Sequence, residues 1–465
     1  MNISRRDLLK STSAGFGYVA FAGLTAANAR RGLATDAGVA VGESQNPLAA
    51  KQPHFPARAK RVIFLCMQGG PSHVDTFDYK PRLALDHGKR GLYGGSLLKS
   101  PWQFRQHGDS GLWISDLFSN VAEHADDMCL LRSMHCDQPV HPGAMTQMHT
   151  GTAQFVRPSL GAWTLYGLGT ENDSLPGFVS LSPPSGSSRN YGSAFLPAIY
   201  GGTKVGRGSR FAQGMASQET VPDIKNPNLS DRQQRTQLDF IQALNRDKAK
   251  RQPDHPGVEG VIESYELAFR MQSAMPELMD TSDESSQTLA MYGADGGPTA
   301  TFGKQCLLAR RFAEAGVRFI EVTHGNWDQH VRLSADHQAR AEACDKPIAG
   351  LLADLKQRDL LKDTLVIWGG EFGRTPSGQN GDGRNHNNKG YTIWMAGGGV
   401  KGGMSYGATD EHGFEAVENK CHVHDWHATI LHLLGLDHEQ LTYRYAGRDF
   451  RLTDVYGDVA HDIIA

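Results

Sequence analysis

The chain has 465 residues, of which 21% are charged and 39% hydrophobic, and its formal net charge is −3. That mild balance gives no reason to expect nucleic acid as a partner. Six cysteines (Cys66, Cys129, Cys136, Cys306, Cys344 and Cys421) show no CxxC spacing; their even number permits disulfides, but Cys66 lies in an apolar strand pattern and reads as a buried thiol.

The N-terminus carries Ser4-Arg5-Arg6-Asp7-Leu8-Leu9-Lys10, then a mildly apolar stretch of small residues to Ala26, then Ala27-Asn28-Ala29. Paired arginines, a short weakly hydrophobic segment and small residues at the cleavage positions predict a twin-arginine signal peptide over residues 1–29. A membrane span would need about 20 strongly apolar residues, and no later segment supplies them, so no integral membrane segment is expected after cleavage. The mature chain then begins near Arg30 and works in the periplasm or outside the cell. Arg5, Arg6 and Lys10 against Asp7 contribute +2, which leaves −5 for the mature part. About 435 residues remain, room for one large α/β domain or two ordinary ones.

Residues 30–59 lack apolar periodicity and read as a linker or irregular lead-in to a domain over 60–465. Arg61 to Met67 is a continuous apolar run ending in Gly69-Gly70-Pro71, the pattern of a central parallel strand and its loop. Met128 to Met134 predicts a second strand, followed by a helix over Pro142 to Met148. Pro158 and Ser159 open another helix through Leu168, and Phe178 to Leu181 reads as a short strand. Between about 199 and 298 the pattern changes to Gly-rich loops and then helices, a helical insertion without a motif. Alternation then resumes: helix Phe302 to Ala315 stopped by Gly316, strand Val317 to Val322, a helix ending near Arg358, strands Thr364 to Trp368 and Tyr391 to Ala396, and a helix Asp425 to Leu434 with Asp425 as its N-cap. This order predicts an α/β fold, a mostly parallel sheet sandwiched between helices. Ligands of such sheets bind beyond the carboxyl ends of the strands, and polar clusters follow these strands directly.

After the first strand comes Gln68-Gly69-Gly70-Pro71-Ser72-His73-Val74-Asp75, where the glycines would admit a ligand and His73 and Asp75 offer imidazole and carboxylate to a metal. After the second comes His141-Pro142-Gly143, placing His141 at a helix start that favours an anion, with Pro142 at the first helical position. His324-Gly325-Asn326-Trp327-Asp328-Gln329-His330 puts two imidazoles and a carboxylate at a strand end. Glu371-Phe372-Gly373-Arg374 follows the next strand, with Glu371 a candidate ligand and Arg374 suited to grip an oxyanion. Arg384-Asn385-His386-Asn387 adds an imidazole at the same edge. His422-Val423-His424-Asp425-Trp426-His427 is metal-like in composition, but its histidines fit the start of an amphipathic helix equally well.

Three of these segments, Gln68 to Asp75, Glu371 to Pro376 and His422 to His427, resemble the domain of unknown function 1501 family, along the whole mature chain. More distantly the chain resembles the alkaline phosphatase and sulfatase superfamily, whose members hydrolyse phosphate or sulfate esters with one or two metal ions and a nucleophile at a helix N-terminus. That resemblance implies an alkaline phosphatase-like fold. It places His141 at the nucleophile position, ten residues before Gly151 of a Thr-Gly pair. It sets Met67 and Gln68 where aspartate ligands end the first strand, Asn326-x-x-x-His330 where Asp-x-x-x-His follows a middle strand, and Glu371-Phe372 where Asp-His follows a late one. His386 matches the last ligand histidine. Three roles stay open for His141: a nucleophile through a labile phosphoramidate or sulfoamidate, a metal ligand or general acid beside metal-activated water, or a member of an inactive site.

The expectation is an exported metal-dependent hydrolase of sulfate or phosphate esters, acting on an anionic small molecule or a sulfated or phosphorylated polysaccharide. His141 and Arg374 are its catalytic residues, and one divalent ion (zinc, calcium or manganese) is held by some of Asp328, His330, Glu371 and His386, with His73 and Asp75 as further candidates. Gln68, His324, Asn326 and Arg384 line the substrate. The alternative is a non-catalytic protein of the same fold that binds an anionic glycan or serves a surface assembly.

Overall fold

The computed structural model describes residues 46–184, 186–206, 221, 224–251 and 256–465. The signal peptide expected over 1–29 and the first part of the lead-in fall outside these residues. Residues 46–60 carry no helix or strand, yet they lie against the domain: Leu48 is buried, and Arg58 and Ala59 donate backbone N–H groups to Leu433 O.

Among the described residues, nine strands form one sheet. In chain order they are β1 (Arg61–Met67), β2 (Met128–His135), β3 (Phe178–Leu181), β4 (Thr203–Val205), β5 (Phe319–His324), β6 (Thr364–Gly369), then, beyond the hairpin strands β7 (Gly373–Gln379) and β8 (Gly383–Asn387), β9 (Tyr391–Ala396), β10 (Met404–Tyr406) and β11 (Cys421–His422). Across the sheet the order is β10-β2-β9-β6-β1-β5-β3-β4, with β11 also on β2. All neighbours run parallel except β9, which is antiparallel to both β2 and β6. The mostly parallel α/β architecture therefore stands. β1 lies at its centre, and all seven of its residues are buried, as a strand covered on both faces requires.

The main helices are α1 (His141–Thr150), α2 (Leu160–Leu168), α3 (Asp231–Arg251), α4 (Pro256–Met279), α5 (Ala300–Glu314), α6 (Leu333–Gln357) and α7 (Val423–Leu433). Among the described residues, no helix is long and apolar enough to cross a membrane. α1 stops at Gly151, whose φ of +72° suits the left-handed cap that glycine adopts without strain. It opens one residue earlier than expected, so His141 takes the first helical position and Pro142 the second. α7 also starts earlier than expected. Its N-cap is His422, not Asp425: the His422 ring accepts from the His424 N–H, while the Asp425 carboxylate accepts from the His422 N–H at 2.8 Å. The two residues close a capping box with an imidazole where serine or threonine usually stands. The segment expected to run from Gly-rich loops into helices over about 199–298 also contributes β4, an edge strand of the main sheet. All six cysteines are free and buried.

This topology explains why one edge collects the polar clusters. β1, β5 and β6 run parallel and end side by side, delivering the loops that start at Gln68, Gly325 and Gly370 to one edge. β9 runs the other way and enters at that edge, so the residues just before it, including His386 on β8, arrive where the parallel strands leave. The β7–β8 hairpin, with His386 opposite Arg374, stands over this edge.

Candidate metal centre

Four side chains from three segments meet beyond the ends of β1, β5 and β6: His141 at the start of α1, Asp328 and His330 after β5, and His386 on β8. One donor atom from each lies within 4.8 Å of all the others. Each histidine turns its Nδ1 outward onto a fixed acceptor. His141 Nδ1 donates to Glu371 Oε1 at 2.6 Å, His330 Nδ1 to Gln379 Oε1 at 2.6 Å and His386 Nδ1 to Pro139 O at 2.8 Å. Outer partners of this kind fix the tautomer and leave Nε2 as the free lone pair. All three Nε2 atoms then face Asp328 Oδ1, at 3.1 Å from His141, 2.9 Å from His330 and 3.4 Å from His386. His330 Nε2 and His386 Nε2 are 3.0 Å apart.

Two lone pairs opposed at that distance repel unless a proton or a cation lies between them. His141 Nε2 is buried and finds no hydrogen-bond partner of good geometry. Three imidazole nitrogens and a carboxylate oxygen are donors that suit a borderline divalent ion such as zinc, and the residues present fit it. Burial would lower the pKa of His141, but hydrogen bonds and charge from Asp328 and Glu371 outweigh it and raise the pKa to about 9. The partly buried Asp328 carboxyl would be pushed up by desolvation, yet His141, His386 and Arg374 hold it well below the usual carboxylate range. The cluster opens to solvent on one side, where Asp328 is 43% exposed and His330 33%. On the other side Phe372 is buried and packs its ring against His141 and His386 at centroid distances of 4.8 and 4.6 Å.

The remaining candidates stand outside the four donors. Glu371 lies behind His141, fully buried, and also accepts the Gly69 N–H at 3.1 Å. Arg374 is fully buried and faces inward. It donates to the carbonyls of Gly69 and Gly70 and to Asp328 Oδ1 at 2.6 Å, so its guanidinium fixes loops and cannot grip an incoming oxyanion as expected. Asp75, expected as a ligand, is fully buried and held by Arg384 through bonds of 2.7 and 3.1 Å, and this pairing removes both residues from the metal and substrate roles. His73 is buried against Gly413 O at 2.8 Å. His324 is half-buried at the end of β5, where its Nδ1 accepts from Trp327 Nε1 at 3.0 Å and desolvation lowers its pKa to about 3. Asn326, at a φ of +69°, turns the loop and offers its carbonyl to Gln329. Gln68 joins the same loop through its backbone: its N–H reaches His324 O and its carbonyl accepts from the Trp327 N–H.

Gly69 and Gly70 admit protein and not a ligand. A Cβ at Gly69, where φ is +113°, would come within 2.7 Å of Trp327 N, and one at Gly70 would strike Phe372 at 2.7 Å. Sequence reasoning missed the hairpin that carries Gln379 and His386. Its signal was present in Asn380-Gly381, both at positive φ in the turn. Nothing in the sequence marked Pro139 O as an acceptor.

Fold and donors together define an α/β protein with a three-histidine, one-aspartate centre at the carboxyl edge of a mostly parallel sheet. The chain belongs to the family described as Protein of unknown function (DUF1501), whose model matches residues 59–464. Among solved structures it is similar to the PsFucS1 sulfatase from Pseudoalteromonas sp., at 14% identity over 82% of this chain and 69% of that one, with a TM-score of 0.36. It is similar to the lipoteichoic acid synthase LtaP from Listeria monocytogenes, at 8% identity over 87% and 78%, with a TM-score of 0.38. It is also similar to a TAB5 alkaline phosphatase mutant with magnesium bound, at 12% identity over 82% and 99%, with a TM-score of 0.32. No curated protein matches the chain.

Proposed function

We propose that the protein is an exported metal-dependent hydrolase of sulfate or phosphate esters, with an anionic polysaccharide as its substrate class. The observation that carries the reading is the convergence of three anchored imidazole Nε2 atoms and one carboxylate on a solvent-facing point. Such donors favour zinc over manganese and do not suit calcium, which takes oxygen ligands. Export rests on the paired arginines and the segment that follows them.

A divalent ion held by His141, Asp328, His330 and His386 would supply Lewis acidity to an ester oxygen. Glu371 anchors His141 Nδ1, and Gln379 and Pro139 O anchor those of His330 and His386, so each ring would turn its Nε2 toward a bound ion. Phe372 closes one side of the cluster to water. Arg374 holds Asp328 from behind and ties it to the glycine loop after β1. Against a divalent charge the four donors carry a single negative charge, which leaves the centre attractive to an oxyanion. In this arrangement His141 serves as a ligand and not as a nucleophile.

A second reading, a non-catalytic protein of the same fold that binds an anionic glycan or serves a surface assembly, is favoured by the inward-facing Arg374, which leaves catalysis without the guanidinium expected to stabilise an oxyanion. One experiment separates the two. Metal content of the purified protein is measured together with turnover of chromogenic sulfate and phosphate esters, in wild type and His386→Ala. Metal and turnover lost together support the hydrolase. Bound metal without turnover of either ester class overturns it in favour of the binding reading.

A further inference from the structure

A second cluster of metal-ligating side chains lies beneath the first, within the protein core. Cys66 on β1, Glu321 on β5 and His149 in the last turn of α1 bring one donor atom each within 4.8 Å of one another. All three are buried, at 1%, 1% and 3% exposure. Register explains the meeting. Phe64 is opposite Glu321 and Cys66 opposite Thr323, so alternate residues of both central strands face the same side of the sheet. α1 covers that side and lowers His149 onto them.

As a bare ion pair the cluster is poorly built. His149 Nε2 is 3.2 Å from Glu321 Oε2, yet neither atom makes a hydrogen bond of acceptable geometry. The other carboxylate oxygen has only a 3.4 Å contact from Thr323 Oγ1. A charge buried so deeply costs several kcal/mol unless its remaining lone pairs are satisfied. A thiol beside that carboxylate repels the charge when ionised and offers only a weak S–H donor when neutral. The imidazole, in contrast, is prepared as a ligand: His149 Nδ1 donates to Met145 O at 2.8 Å, which turns the Nε2 lone pair toward Cys66 and Glu321.

We infer that Cys66, His149 and Glu321 form a second, enclosed metal site with a structural role, selective for zinc. Thiolate with imidazole and carboxylate is a donor set that zinc accepts and that magnesium and calcium do not. A divalent ion would satisfy the two orphaned atoms and offset the charge of thiolate and carboxylate together. Glu321 Oε1, with the Thr323 hydroxyl 3.4 Å from it, is a further oxygen that could serve as a ligand. α1 links the two sites: it begins at His141 of the first and carries His149 of the second two turns later. An ion here would brace the helix that positions His141.

The test uses the full mature chain, purified under reducing conditions, stripped of metal and reloaded with zinc or cobalt(II). Two equivalents of zinc are expected in wild type, one in Cys66→Ala and one in His386→Ala. Cobalt(II) should give a thiolate-to-metal charge-transfer band in the near ultraviolet that survives His386→Ala and is absent from Cys66→Ala. Where Cys66→Ala does not fold, zinc-edge absorption of wild type decides instead. The solvent-facing centre holds no sulfur, so the inference requires a sulfur neighbour at about 2.3 Å. A shell of nitrogen and oxygen alone, or a stoichiometry that Cys66→Ala leaves unchanged, overturns it. Failure of the upper site reads differently: zinc drops to one equivalent in wild type while the sulfur signal remains.

Discussion

His330 Nε2 and His386 Nε2 face each other at 3.0 Å while both rings direct Nδ1 onto fixed acceptors. Beside them, hydrogen bonds and charge from Asp328 and Glu371 raise the His141 pKa to about 9 against the desolvation that would lower it, so the metal-free cluster favours an extra proton on that ring. Metal must displace such protons to bind. Zinc binding at pH 7 is therefore expected to release about one proton from the His141 cluster, falling toward none well above pH 9. Titration calorimetry in buffers of different ionisation enthalpy, on protein whose core site is already loaded, measures this directly. A proton count independent of pH between 7 and 10 would contradict the arrangement.

Glu371 touches no other member of the cluster than His141, whose Nδ1 it holds at 2.6 Å. Glu371→Gln keeps the volume and the hydrogen-bonding reach but removes the charge that makes the imidazole a stronger donor. Zinc affinity at the upper site is expected to fall about 10- to 100-fold, the usual effect of losing such an outer partner. Competition against a chromophoric chelator reads the change, and an unaltered affinity would separate Glu371 from the metal.

Asp75 and Arg384 are both fully buried and joined by two hydrogen bonds. Burial alone would raise the Asp75 carboxyl, but the charge and hydrogen bonds of Arg384 hold it low. Arg384→Met leaves that carboxylate buried and unpaired and should cost about 3–5 kcal/mol. Replacing both partners with apolar residues should recover much of the loss. Chemical denaturation of the two single variants and the double variant gives the coupling. Asp75→Asn, if it folds, should leave the metal content of the upper site unchanged, in contrast to His386→Ala.

The sheet was legible because burial on both faces writes itself as unbroken apolar runs, as in Arg61–Met67 and Thr364–Gly369. The strand-end rule pointed to Asp328 and His330, while His386 was singled out by its place just before β9 and by the superfamily resemblance. Direction of a side chain was not legible. Arg374 and Glu371 follow β6 within five residues, as a site should, yet one faces inward to carbonyls and the other stands behind a ligand. Composition cannot say which side of a loop a residue faces when the loop is folded against two others. Cys66, His149 and Glu321 were hidden for a related reason: they are far apart in sequence and join only through strand register and helix placement.

Four histidines set the acid limit of the fold. His324 and His427 have pKa values lowered to about 3, and His337 and His424 to about 4, all chiefly by desolvation. Their hydrogen bonds agree with neutral rings: His324 Nδ1 accepts from Trp327 Nε1, and His427 Nε2 donates to Met148 O at 2.7 Å while its Nδ1 has no partner. In the unfolded chain each ring takes up a proton as pH falls through about 6.5, whereas the folded chain does not until pH 3–4. The unfolded state thus binds more protons across that window, and stability is lost as pH falls. His141 has the opposite shift, but its contribution is complete below 6.5 and does not mask the trend. Between pH 6.5 and 5 each ring should cost about 1–2 kcal/mol, before most carboxylates titrate. Urea denaturation of the metal-stripped protein at the two pH values checks the total. His427→Gln should flatten the dependence by one ring's share, and a slope the same as wild type would remove His427 from the account.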